Sequence, residues 1–375
     1  MPNPFRLEVL EADGPFCDRE VELNRLRRHA ESTQNVVLAS PRRFGKTSLC
    51  RKLQRELEAK GYLCFAFDFS GVDSIAEIAR RLAREIYRAL DAKQPLLTKG
   101  KQWMGALRSF RPTVTFGPSG EAGFTITHAN EVDPPATLLE TTLEDLAAIV
   151  RSKKYPCHIV MDEFQDITKL NDSELVEGLL RKNIQGVPAS FIFVGSRRSL
   201  LLQMFSDQKR FLTLSANKEF LPPLPEEETS QCIQDLFLAA ERDIDADICR
   251  HIVTAAHQYP FYVQRLASQV YESEDDPITP ATVEKAAEAV LISEQALYEV
   301  MIAPLTTGQL RLLKALARIP TNAITGKEFV SKADLPTSSI PDIRKVLTRA
   351  DLIEKTDSGI WKVVDPFFAA WLRRL

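Results

Sequence analysis

Ser40-Pro41-Arg42-Arg43-Phe44-Gly45-Lys46-Thr47 is the stretch that decides the fold. The apolar run Asn35-Val36-Val37-Leu38-Ala39 precedes it, and a helical pattern over 46–60 follows, closed by Gly61 just past the helix end. A strand that feeds a glycine-bearing loop into a helix N-terminus presents backbone N–H groups and the positive end of the helix to an anion. The usual phosphate loop reads G-x-x-x-x-G-K-S/T, and this chain keeps all of it except the first glycine, which is Ser40. In that pattern Lys46 reaches the β- and γ-phosphates, Thr47 supplies a hydroxyl to magnesium, and Gly45 lets the backbone come close. A bare G-K-T is common by chance, so its surroundings must supply the specificity.

Far downstream, His158-Ile159-Val160-Met161 runs into Asp162-Glu163. An apolar strand ending in two acids suits magnesium-dependent phosphoryl transfer: Asp162 to hold the metal, Glu163 to orient or deprotonate the attacking water. Alone, such a pair is more often a solvated turn; after a phosphate loop, in this order, it reads as its partner. A third strand, Phe191-Ile192-Phe193-Val194-Gly195, delivers Ser196 and Arg197 to the same neighbourhood. One of these two is expected to sense or stabilise charge on the γ-phosphate. The competing reading is a Ser196 helix cap with Arg197 and Arg198 at the surface. The expected ligands are therefore ATP or ADP with Mg2+.

The remaining pattern alternates apolar runs with amphipathic helices. Helices are expected over 18–32 (with Val21, Leu23 and Leu26 inward), 74–90, 137–152 and 172–184, and further strands at 62–68, 157–162, 189–195 and 210–215. This is the signature of an α/β fold, a sheet with crossover helices. Residues 110–127 break the rhythm: two alternating runs around a Gly/Pro turn predict a β-hairpin outside the main sheet. Leu221-Pro222-Pro223-Leu224-Pro225 ends the strand-bearing part, and helices follow. Helical patterns at 307–317, 325–331 and 338–348, then short strands at 351–355 and 360–364, describe a winged helix. The expected division is an NTPase domain over 1–222 with its hairpin at 110–128, a helical lid over 223–303, and a winged helix over 304–375.

Composition narrows the function classes. Apolar residues make up 44% and charged residues 26% of 375, which is ordinary globular usage, and no run is long enough to span a membrane. The first residues show no basic stretch followed by an apolar one, so no signal peptide is expected and a cytoplasmic location is. The six cysteines lack C-x-x-C spacing, which argues for reduced, mostly buried thiols and against zinc. Residues 306–375 carry a surplus of five positive charges on a chain of net charge −3, which permits contact with nucleic acid.

Taken together, S-P-R-R-F-G-K-T-S-L, I-V-M-D-E-F-Q-D, F-I-F-V-G-S-R-R-S-L-L and the terminal D-P-F-F-A-A-W-L resemble the archaeal-type ATPases. These belong to the AAA+/STAND group of P-loop NTPases, related to the Orc1/Cdc6 ATPases. The resemblance covers nearly the whole chain. It implies a five-stranded parallel sheet, a helical lid and a C-terminal winged helix. It also implies phosphate contacts from Pro41, Arg42, Arg43, Phe44, Gly45, Lys46, Thr47 and Ser48, an acidic pair at Asp162 and Glu163, and a sensor at Ser196–Arg197. The segment holding Phe16 and Arg19 would lie near the adenine. A lid motif, usually G-x-P, matches Gln258-Tyr259-Pro260 and makes Pro260 a candidate contact. Ser40 and Gln258 each stand where the pattern has glycine, changes that could slow hydrolysis while sparing binding.

Three functions fit these residues. The first is an ATP-hydrolysing switch, slow or partner-stimulated, regulatory or defence-related, whose output comes from an effector or regulatory protein, since no nuclease or protease constellation is present. The second is a DNA-binding protein with a structural nucleotide, using Arg344, Lys345 and Arg349 on the recognition helix. The third is a self-associating motor subunit, for which Arg210 could act in trans on a neighbouring copy.

Overall fold

The computed structural model describes residues 2–5, 19–93, 110–116, 122–128, 133–206, 216–356 and 358–375. In chain order its first strands are β1 (Val36–Ala39), β2 (Leu63–Asp68), the antiparallel hairpin β3 (Phe110–Phe116) and β4 (Ala122–His128), β5 (Cys157–Asp162), β6 (Ser190–Gly195) and β7 (Asn217–Glu219). All but the hairpin form one parallel sheet in the order β2-β5-β6-β1-β7, and the hairpin is a separate two-stranded sheet. The strand before the phosphate loop is thus flanked by β6 and β7, one strand removed from the acidic pair on β5.

Side chains along these strands alternate between two cores, as a period of two requires. Val36, Leu38, Val160, Ile192 and Val194 face one way, against α1 (Glu20–Glu31), α2 (Lys46–Ala59) and the C-terminal half of the chain. Val37, Phe65, Phe67, Ile159, Met161, Phe191 and Phe193 face the other, against α3 (Ile75–Lys93), α4 (Pro135–Arg151), α5 (Ser173–Ile184) and α6 (Arg198–Ser206). Strands buried on both faces read as continuous apolar runs, which is why they stand out in the sequence.

Beyond Pro225 come the helices α7 (Glu226–Ala239), α8 (Ala246–Ala255), α9 (Pro260–Glu272), α10 (Pro280–Ser293) and α11 (Gln295–Ile302), in the stretch that the sequence reading assigns to the lid. The winged helix follows: α12 (Thr307–Arg318), α13 (Lys327–Ala333), α14 (Ile340–Arg349), the wing strands β8 (Ile353–Lys355) and β9 (Trp361–Val363), and α15 (Pro366–Arg374). The last helix, in the segment D-P-F-F-A-A-W-L, goes beyond the three helices expected. It is capped by Asp365, which accepts from the backbone N–H groups of Phe367 and Phe368. Tyr262 on α9 stacks on Phe367 at 4.0 Å, and Tyr298 on α11 packs on Phe368 and Trp371, so lid and winged helix share one aromatic seam. Burying each such aromatic is worth roughly 1.5–3 kcal/mol.

Three expectations need correction. Val21 is 70% exposed; the inward position goes to Glu22, whose charge pairs with buried Arg19. The fifth strand is Asn217–Glu219, an edge strand with no apolar alternation to betray it, whereas the expected 210–215, Arg210 included, lies outside the described residues. Cys50, Cys64, Cys157 and Cys249 are buried free thiols, but Cys232 is disulfide-bonded. Cysteines remote in sequence can pair wherever a fold brings them together, so spacing does not exclude it.

The two departures from glycine differ physically. Ser40 avoids positive φ, and its hydroxyl donates to Ala39 O (2.7 Å) and accepts from Leu221 N (2.7 Å), tying the loop to the connection that leads into the lid. Gln258 sits at φ 58°, the left-handed region where a side chain costs energy and glycine does not. Gln258→Gly should therefore raise stability by about 1 kcal/mol, and Ser40→Gly should lower it by about 1–3 kcal/mol. Urea unfolding of both variants checks this, and a shift of opposite sign at either position would overturn the account of that position.

Candidate functional site

The loop begins at the buried end of β1 and turns into α2 at Gly45, whose φ of 80° only glycine adopts without strain. Lys46 is the first helical residue, and its buried amine folds back under the loop, donating to Ser40 O (2.8 Å) and Pro41 O (2.7 Å). Burial lowers the Lys46 pKa to about 8, against the opposing pull of the Glu163 and Asp162 carboxylates. Thr47 Oγ1 donates to Asp162 Oδ2 at 2.6 Å, joining the start of α2 to the end of β5. Burial pushes the Asp162 carboxyl upward, while the Thr47 hydroxyl and the Glu163 N–H draw it back. A hydroxyl and a carboxylate side by side are hard oxygen donors of the kind Mg2+ takes. Among the described residues no group of three or more His, Cys, Asp or Glu could hold a metal, so such an ion must complete its shell with phosphate and water.

Glu163 has φ 47° and opens the short 3-10 helix Phe164–Lys169. The turn is anchored by Phe164, fully buried edge-on to Phe193 (4.9 Å) and Phe69 (5.6 Å). Ser196 Oγ donates to Glu163 Oε2 at 2.9 Å, and Gln165 Nε2 donates to the same oxygen. Of the two sensor candidates, Ser196 thus touches the acidic pair directly. A cleft of about 630 Å³ is lined by Arg42 through Ser48, Ser70, Glu163, Asp166 and Phe261. It gathers Arg42 to Ser48 of the expected phosphate-loop residues with Glu163 on one wall; Ser40, Pro41, Asp162, Ser196, Arg197, Arg19 and Pro260 do not line it. Arg19 is instead buried at the start of α1, and Phe16 lies outside the described residues.

The lid meets the loop residue by residue. Tyr259 OH donates to Arg42 O at 2.5 Å, and its ring packs edge-on against Phe44 at 4.6 Å. Arg43, at φ 63°, pairs with Glu294 (2.8 Å) while its guanidinium lies 4.0 Å above the Phe261 ring. Pro260 itself only opens α9; its neighbours Tyr259 and Phe261 make the contacts. Deeper in, Tyr262 OH donates to Asp365 Oδ2 (2.7 Å) and lies 2.9 Å from Tyr298 OH, continuing the polar path into the winged helix.

The winged helix reaches the start of α6, just past the sensor strand. Arg198 pairs with Glu354 of β8 at 2.6 Å. Asp351, at φ 54° after α14, has a buried carboxylate oxygen without a hydrogen-bond donor. Burial pushes its pKa up to about 7, against the positive charges of Arg197, Arg42, Arg198 and Lys46. On α14 itself Lys345 and Arg349 are exposed, whereas Arg344 lies over the Trp361 ring at 5.1 Å. Sequence reading missed Glu294, Asp351, Glu354 and Phe261, because nothing local marks a surface acid or an aromatic as a partner for a distant arginine. Gln165 was visible inside D-E-F-Q-D, but without a role.

The sequence profile of a probable winged helix domain matches residues 296–374. No curated protein matches the chain. Among solved structures, the Walker-type ATPase PABY2304 of Pyrococcus abyssi superposes with a TM-score of 0.70 at 16% identity, covering 99% of each chain. The ORC2 protein of Aeropyrum pernix, in its ADPNP–ADP complexes, superposes with a TM-score of 0.56 at 15% identity, covering 96% of this chain and 93% of its own. At such identity these likenesses speak to the fold. The profile of an ATPase domain predominantly from Archaea matches residues 16–221, more than half the chain, and the protein belongs to that ATPase family.

Proposed function

We propose that the chain is an ATP-binding and ATP-hydrolysing switch in which the nucleotide sets the position of the lid and winged helix. The observation that carries this reading is that Arg42, Arg43 and Phe44, within the phosphate loop, are each engaged by a lid residue. Any ligand that reshapes the loop must reshape those contacts, and a ligand shifts an equilibrium only through such differential contacts. Lys46 would bind the β- and γ-phosphates, with the other residues from Ser40 to Ser48 supplying the cradle. Mg2+, held by Thr47 and Asp162, would neutralise phosphate charge. Glu163 accepts the proton of the attacking water as its oxygen bonds the γ-phosphorus. The bond to the bridging oxygen breaks, and ADP and phosphate leave. Of the two sensor candidates, Ser196 takes the role in this reading, through its hydrogen bond to Glu163. The ADPNP and ADP complexes of the Aeropyrum protein support nucleotide binding on this fold. In this reading the protein is cytoplasmic, regulatory or defence-related, and passes its state to a partner protein. No described helix is long and apolar enough to cross a membrane.

A second reading, DNA contact through the winged helix, is favoured by the exposure of Lys345 and Arg349 on α14.

Purified protein should turn over ATP only with magnesium. Glu163→Gln should lose about 10²–10⁴-fold in kcat while still binding ATP, and Lys46→Ala should lose binding. Turnover surviving in Glu163→Gln would remove that residue from the chemistry. Docking of the winged helix should depend on pH through Asp351. Its docked pKa of about 7 exceeds the carboxylate value of about 3.9 expected after release, so the docked state holds the proton more tightly. Docking should weaken as pH rises between those values and level off above, and Asp351→Asn should abolish that slope. Energy transfer between dyes on the sheet domain and winged helix measures it, and an unchanged slope in the variant would assign it elsewhere. For the second reading, duplex DNA should bind at low salt, weaken as salt rises, and lose affinity with Lys345→Glu and Arg349→Glu. No binding at low salt would reject it.

A further inference from the structure

Glu163 is held by more than its own turn. Its Oε2 accepts from Ser196 Oγ and from Gln165 Nε2, while no described donor reaches Oε1. Gln165 is 1% exposed, and its own carbonyl oxygen is buried with no hydrogen-bond partner. A buried carbonyl without a protein partner costs stability, whereas the N–H side of the same amide is used on Glu163. That carbonyl sits against Gly195: a Cβ built on Gly195 would stand 2.2 Å from Gln165 Oε1, 3.0 Å from Leu201 Cδ2 and 3.3 Å from Gln165 Cδ, so the amide oxygen is the severest clash. Gly195 does not need positive φ, so its lack of a side chain serves the amide and not the backbone. The orientation is fixed as well, because reversing the amide would set its oxygen against a carboxylate oxygen.

We propose that Gln165 is a positioning residue for the hydrolytic step. Its amide passes through the slot left open by Gly195 and, with Ser196, occupies one oxygen of Glu163, reserving the other for the attacking water. The inference rests on the reading of Glu163 as the base. It places Gly195, the last residue of β6, in the same arrangement: the strand that delivers Ser196 also leaves room for Gln165, so a shift of that strand would disturb both donors together.

The test uses the full chain. Gln165→Leu and Gln165→Glu keep most of the side-chain volume and remove the donor. Each should lower kcat about 10- to 100-fold, as loss of orientation does, with KM and equilibrium affinity for ATP within about twofold. Gly195→Ala should give the same kcat-only loss, and Gly195→Ala combined with Gln165→Leu should be no slower than either alone. A second measurement needs no turnover: Gly195→Ala should lower the Tm of the wild-type chain more than that of Gln165→Ala, where only Leu201 Cδ2, at 3.0 Å, is left against the added methyl. Wild-type kcat in folded Gln165→Leu and Gln165→Glu, a parallel loss of ATP affinity, or equal Tm losses from Gly195→Ala in both backgrounds would overturn the proposal. Turnover that survives Glu163→Gln, or a wild-type chain with no magnesium-dependent turnover, would instead sink the reading beneath it.

Discussion

The burial of Lys46 is the constraint on which the other contacts around the loop depend. An ammonium removed from water must find compensating oxygens, and here they are two carbonyls of its own loop, with two carboxylates of β5 and its following turn nearby. That requirement fixes where β1 stops, how the loop curls and where α2 begins. The order β5-β6-β1 sets the acidic pair at the end of a strand one removed from β1, near enough for both carboxylates to act on the amine. The Thr47–Asp162 hydrogen bond closes the arrangement from the other side.

Much of this was legible in the sequence because it is written in short range. A glycine before a lysine, two acids after an apolar strand, and a serine after a third strand each announce themselves within a few residues. The resemblance to an ATPase family then ordered them into one site. What remained hidden is long range. Glu294 lies 251 residues from Arg43, and Glu354 lies 156 residues from Arg198, with nothing near either to identify its partner. Glu22 shows another limit: periodicity favours an apolar residue inward, yet a charged one is buried once Arg19 is there to pair with it. Asn217–Glu219 lacks alternation because an edge strand with partly exposed side chains has no need of it.

The positions that depart from the glycine pattern lie on opposite sides of the loop's attachment to the lid. Ser40 binds the loop to Leu221, at the start of the connection between sheet and lid. Gln258 ends the turn before α9, and its carbonyl accepts from Leu224 N at 2.9 Å. Both substituted residues therefore hold the same short connecting segment, one by its side chain and one by its backbone. Of the two side chains only that of Ser40 adds a tie to this segment, since the Gln258 carbonyl accepts from Leu224 whatever side chain stands there.

The aromatic seam between lid and winged helix bears on how the lid would turn. Tyr262 on Phe367, and Tyr298 on Phe368 and Trp371, weld α9, α11 and α15 together through close ring packing. Several of the contacts from this assembly back to the loop and the start of α6 are ion pairs and single hydrogen bonds, which exchange readily with water or phosphate. In the proposed switch the two C-terminal units would therefore move as one body: a turn of the lid about the proline-rich connection would carry the winged helix with it, without either unit changing shape.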